Sequence, residues 1–209
     1  MINVGVQASA YQALPLCSRY SVVAVGIQPV TIREGDETLH IGVRWALASL
    51  ADGQHELLGM WLEPAGRGLG PTMVFHDLRV RGVESIGVVL SLDPGACAAT
   101  DLFPTHLSCS KMIDSCAGSQ SIDSLPSRHR HVVAVAGKAA RRTQGELIQA
   151  VRRHGCFDSR ESAATFLSKT LQRLDRGLGT DSDVPDGATA HHRPRRAAAP
   201  RMEAPASHA

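Results

Sequence analysis

The chain has 209 residues, enough for one ordinary domain with an appendage. Apolar residues make up 43% of it and aromatics only 4%, so any core must rest on Val, Leu, Ile and Ala. A net charge of +2 excludes a uniformly basic nucleic-acid binder and confines any such footprint to a local patch.

Cys17, Cys97, Cys109, Cys116 and Cys156 are odd in number and share no short repeated spacing. That excludes a secreted disulfide framework and suits a reducing cytosol. The opening MINVGVQASAYQ lacks a basic segment followed by an apolar one, so it does not read as a signal peptide. No apolar run approaches the length of a membrane span. A soluble, cytoplasmic protein without membrane partners is expected.

In chain order, SVVAVGIQPVTI (21–32) is β-branched and apolar, a strand weakened by Gly26 and Pro29. REGDET (33–38) is a polar turn, and LHIGVRWALASL (39–50) a second strand. Asp52-Gly53 signals a hairpin into a third strand, HELLGMWLEP (55–64), which Pro64 closes. AGRGLG (65–70) is loop. PTMVFHDLRVRG (71–82) has Met73, Phe75, Leu78 and Val80 near helical spacing, with Pro at its start and Gly at its end, as a helix should. SIGVVLSL (85–92) is a short unbroken apolar run, read as a strand buried on both faces and ending at Asp93.

Two tight connections make the first three strands an antiparallel meander, and the helix then allows a crossover to a parallel strand. The fold class expected is α/β, a partial ribonuclease-H-like mixed sheet followed by helices and a disordered tail. Periodicity alone does not separate that core from other mixed α/β folds. A weak strand is placed near 106–113, and helices at 131–153 and 159–176. From Gly177 the sequence is rich in Pro, Ala, Gly, Asp and Arg, with little to bury. Three units result: a core at 15–115, a helical basic region at 126–176 and a tail at 177–209.

Three segments resemble the catalytic region of Mutator-type bacterial insertion-sequence transposases. PLCSRYSVVAVGIQPVTIRE (15–34) is similar to the family segment whose strand carries the first catalytic Asp. ALASLADGQHELLGMWLEP (46–64) looks like its Asp-Gly hairpin, and DLRVRGVESIGVVLSLD (77–93) like its helix and the strand that delivers the second catalytic Asp. They keep their order and nearly their spacing over 15–93. A weaker continuation, FPTHLSCSKM (103–112), has Met112 where the family has His.

The resemblance implies metal-dependent DNA cleavage and strand transfer. In such chemistry two Mg²⁺ ions about 3.5–4 Å apart activate the nucleophile and stabilise the leaving oxygen. They are held by a few carboxylates, the ligands a hard cation prefers. By resemblance Asp93 is the second acid, catalytic and metal-holding. Read without the family, it is a turn residue before Pro94 and Gly95. The first acid falls on Gly26, which has no side chain to ligate with, and Glu34, Asp36 and Glu37 lie at the strand's far end. No Asn-x-x-Glu-like motif supplies the third, and Glu146 and Glu161 read as exposed helix glutamates. The family also carries an amino-terminal DNA-binding region ahead of the first strand. As this sequence begins almost at that strand, end-specific recognition is expected to be lost.

Arg128, Arg130, Lys138, Arg141, Arg142, Arg152 and Arg153 stand against a single acid, Glu146, over 128–153. Such a stretch is either a solvated helix face or a set of DNA phosphate contacts that read no sequence. HHRPRR (191–196) belongs to the tail, GRGLG (66–70) lacks the remainder of a nucleotide loop, and Cys109, Cys116, His106, His129 and His131 match no zinc-ligand spacing. Three functions remain: an impaired transposase-derived protein that would use Mg²⁺ if active, bind DNA and allow a homo-oligomer; a non-enzymatic DNA-binding or interaction fragment; and an unrelated α/β enzyme.

Overall fold

A computed structural model of the chain describes residues 16–50, 54–63, 72–92, 106–108 and 127–178. Its elements run β1 (Arg19–Glu34), β2 (Glu37–Ser49), β3 (His55–Leu62), α1 (Thr72–Val80), β4 (Ser85–Ser91), β5 (His106–Ser108), α2 (Ser127–His154), β6 (Cys156–Phe157) and α3 (Arg160–Leu178). The described strands form one mixed sheet in the order β3-β2-β1-β4-β5, with β6 also on β1. β1–β2 and β2–β3 are antiparallel, whereas β4 and β6 run parallel to β1, and β5 parallel to β4. The expected meander and returning parallel strand are therefore present.

Alternation along β1 divides the core into two layers. Val22, Ala24, Val30 and Ile32 join Trp45, Leu47, Val88 and Leu90 against Val133, Ala136, Ala140 and Leu147 of α2 and Ala163, Leu167 and Leu171 of α3. Val23 and Val25 turn the other way, with Ala46, Ala48, Leu58, Trp61 and Val89, onto Val74, Phe75 and Leu78 of α1. Each Val or Leu so buried contributes roughly 1.5–3 kcal/mol.

β1 is a single strand of 16 residues, unbroken at Gly26 and Pro29. Pro29 stands opposite Gly42 on a stretch of β1 that, among the described residues, has no strand on its other side. The lost amide therefore breaks no ladder there. β4 is buried on both faces only from Val88 to Ser91; Ser85 and Gly87 are exposed. Of the weak strand at 106–113, β5 covers 106–108 and the remainder lies outside the described residues. β6 was not expected, being only two residues long. The tail from 179 onward also lies outside the described residues.

Helix ends follow local chemistry. α1 closes with Val83 N donating to Leu78 O and Gly82 N to Arg79 O, with Gly82 at φ +97°. α2 closes on Gly155 at φ +82°, whose amide donates to Val151 O. Ser159 caps α3, its Oγ accepting from Ser162 N at 3.1 Å. The edge strand β3 is tied from both layers: Leu57 N donates to Asp175 Oδ1 of α3, and Arg81 Nη1 to Leu58 O.

Two outcomes follow from this packing. Gly145 lies inside α2 with open space around a would-be Cβ. Gly145→Ala should therefore raise the urea-unfolding free energy by about 0.8–1 kcal/mol, the helix-propensity difference. Burial pushes the His55 imidazole below its ordinary value of 6.5. The unfolded chain then takes up that proton first, so this contribution to stability is full above about pH 6.5 and is lost as pH falls below it. Urea midpoints measured from pH 7.5 to 5 should fall, and His55→Gln should flatten part of that fall.

Candidate functional site

The parallel pairing of β1 with β4 fixes the site's geometry. Val25 pairs with Ser91, and Leu92 N donates to Val25 O at 2.9 Å. The next residue of β1, Gly26, therefore lies abreast of Leu92 and opposite Trp45 of β2. Positions 26 and 92 share one sheet, one residue short of Asp93, which itself lies outside the described residues.

β4 leaves β1 after Val25 and β6 joins it only at Thr31. Between them, among the described residues, no strand covers that edge of β1. Gln144 of α2 fills the gap. Its Nε2 donates to Ile27 O (3.1 Å) and Gln28 Oε1 (3.3 Å), and its Oε1 accepts from Trp45 Nε1 (2.9 Å). Gln28, buried, donates in turn to Pro29 O (2.8 Å). A Cβ built on Gly26 would stand 2.5 Å from Cζ2 of Trp45 and 2.7 Å from Oε1 of Gln144.

These residues do not fit a magnesium ion. Gly26 and Leu92 offer no side-chain oxygen and no negative charge, and the nearby amides of Gln28 and Gln144 are engaged with each other and with the backbone. Among the described residues no group of three or more His, Cys, Asp and Glu side chains could hold a metal. Glu34, Asp36 and Glu37 sit at the hairpin end, about 26 Å along the strand from Gly26 at ~3.3 Å per residue. Glu34 is also engaged there by Arg160 Nε at 3.3 Å. Glu146 and Glu161 are exposed on α2 and α3.

The basic stretch forms one side of α2. Arg130, Lys138, Arg141, Arg142, Arg152 and Arg153 are all exposed. At roughly 100° per residue they occupy a sector of about 140°, opposite Val133, Ala136, Ala140 and Leu147. The row from Arg130 to Arg153 is ~35 Å long at 1.5 Å per residue. Arg128 lies in the first turn of α2, and Arg153 also donates to Gln149 Oε1 at 3.0 Å. α3 adds the exposed Lys169, Arg173 and Arg176, which the sequence pattern alone does not single out as a basic patch. Their signal is the exposed positions 161, 165, 169 and 173, spaced by four, opposite Ala163, Leu167 and Leu171. The exposed acids on these helices are Glu146 and Glu161, with Asp158 exposed in the connection between them. His131 is exposed on α2, while Cys109 and Cys116, like GRGLG and HHRPRR, fall outside the described residues.

Replacing Gln144 by Leu would leave the Trp45 indole N–H and the Ile27 carbonyl without their partner. The expected loss is about 2 kcal/mol, from one or two unsatisfied buried groups, read by urea unfolding. A loss below about 0.5 kcal/mol would show that Gln144 does not hold α2 to the sheet.

No curated protein matches the chain. No described helix is long and apolar enough to cross a membrane. The model of one family, described as transposase, Mutator family, matches residues 3–95. That segment covers β1 to β4, Gly26 and Asp93 inclusive, and leaves α2 and α3 outside it. Over residues 3–95 the chain is thus similar to Mutator-family transposases.

Proposed function

We propose that the chain is a transposase-derived protein whose ribonuclease-H-like core no longer performs metal-dependent DNA cleavage and strand transfer. The observation that carries this reading is Gly26: the residue abreast of the end of β4, where the family's first acid falls, has no side chain. The meander followed by a parallel β4 supports the ribonuclease-H-like assignment. In an active site of that kind two divalent ions supply the activated nucleophile and the stabilised leaving oxygen. With Asp93 as the one acid placed by resemblance, too little negative charge remains to hold two of them.

The test is direct. Purified protein is incubated with an end-labelled DNA duplex and Mg²⁺ or Mn²⁺. Background cleavage is expected, equal in wild type and Asp93→Ala. Robust cleavage that Asp93→Ala abolishes would overturn the reading.

A second reading is favoured by the basic side of α2: a non-enzymatic DNA-binding fragment. Exposed Arg and Lys along one helix face bind phosphates by displacing counterions, with affinity that falls steeply with salt and little dependence on sequence. Replacing Arg141, Arg142, Arg152 and Arg153 by Ala should weaken a gel shift at least tenfold. For every phosphate that the variant no longer neutralises, the salt slope should flatten by roughly 0.9. Unchanged binding by that variant would remove this reading.

A further inference from the structure

We propose that Gly26, Trp45 and Gln144 form an interlock that closes the vacated acid position to any side chain and fastens α2 to the sheet. The steric part stands on geometry alone. That the closed position once held a metal ligand rests on the reading proposed above.

A Cβ at Gly26 would lie 2.5 and 2.6 Å from Cζ2 and Cε2 of Trp45, well inside van der Waals contact. The indole cannot step aside cheaply. It is 0% exposed, it packs in the core layer shared with α2 and α3, and its Nε1 is bonded to Gln144. Gln144 is similarly committed, accepting from Trp45 and donating to Ile27 O and Gln28 Oε1. Gly42 differs, since its obstructing atoms are the Glu63 carboxylate and Ile27 Cδ1, the ends of flexible side chains. Gly59 and Gly87 are closed rigidly too, by the Trp61 ring at 2.8 Å and the Ser21 carbonyl oxygen at 2.7 Å, but neither contact involves a helix. Only a residue without a Cβ lets the ring and the amide meet over β1.

The consequence is that an acid cannot simply be put back. A carboxylate at position 26 would be forced against a buried ring and beside an amide oxygen, far from water, where its charge is costly. The change to glycine and the closure by Trp45 and Gln144 are coupled, so reopening the position requires changes at all three.

The experiment compares melting midpoints of the full chain with and without millimolar Mn²⁺. The variants are Gly26→Ala and Gly26→Asp, each made in the wild-type background and together with Trp45→Phe and Gln144→Ala. Ala ordinarily improves on Gly inside a strand. The interlock reverses that sign, and Gly26→Ala should lower the midpoint by about 5 °C or more. An unchanged or raised midpoint overturns the proposal, whether or not the multiple variants fold. Gly26→Asp should lower it further in the wild-type background, with the loss at least halved in the relieved one; equal losses in both also overturn it. Mn²⁺ should not raise the midpoint of wild type or of Gly26→Asp alone; a rise for Gly26→Asp alone would show the position open. A rise is expected for Gly26→Asp in the relieved background. Its absence there, with the coupling intact, would count against the metal-site ancestry and leave the interlock standing.

Discussion

The structure depends on β1 being buried on both sides while pairing with three other strands. β2 runs antiparallel along nearly its whole length, β4 takes its first half in parallel, and β6 takes two residues near its end. Alternate side chains feed two separate apolar layers, one under α1 and one under α2 and α3. A strand in that position needs small or β-branched residues on both faces, and RYSVVAVGIQPVTIRE supplies them. Neither layer could assemble without the other, because both are built on the same backbone.

Much of this was legible in the sequence. The Asp52-Gly53 signal, the Pro71 and Gly82 bracket and the unbroken run at 85–92 each reflect a local rule, and the meander, helix and parallel strand all follow. Gly26 and Pro29 read as weaknesses because propensity describes an isolated strand. In the fold, Gly26 is where an indole and an amide approach the backbone, and Pro29 falls on a stretch whose amide no described strand requires. β6 could not be seen, since two residues carry no period. The partnership of Trp45 with Gln144 spans 99 positions and leaves no local trace.

The site was legible in a different way. Position 26 came from the resemblance alone, and the described register carries it to within one residue of Asp93. The side chain that packs beside Gly26 comes from α2, outside the segment that matches the transposase family. In the sequence α2 is conspicuous only for its charge. Its opposite side carries the polar group that meets β1, so one helix presents a basic row to solvent and a single amide to the sheet. The rotation that seats Gln144 over Ile27 also turns Arg141 and Arg142 outward. A phosphate backbone bound to that row would lie a helix diameter, about 10 Å, from the sheet.

The two bonds from opposite layers to β3 bear on self-association. An outer strand whose amides and carbonyls face solvent is a template on which another molecule's strand can grow. Asp175 and Arg81 occupy adjacent backbone groups, Leu57 N and Leu58 O, so a strand arriving at that border would have to displace a carboxylate from α3 and a guanidinium from beyond α1. The helices that shelter the apolar layers thus also guard the sheet's margin.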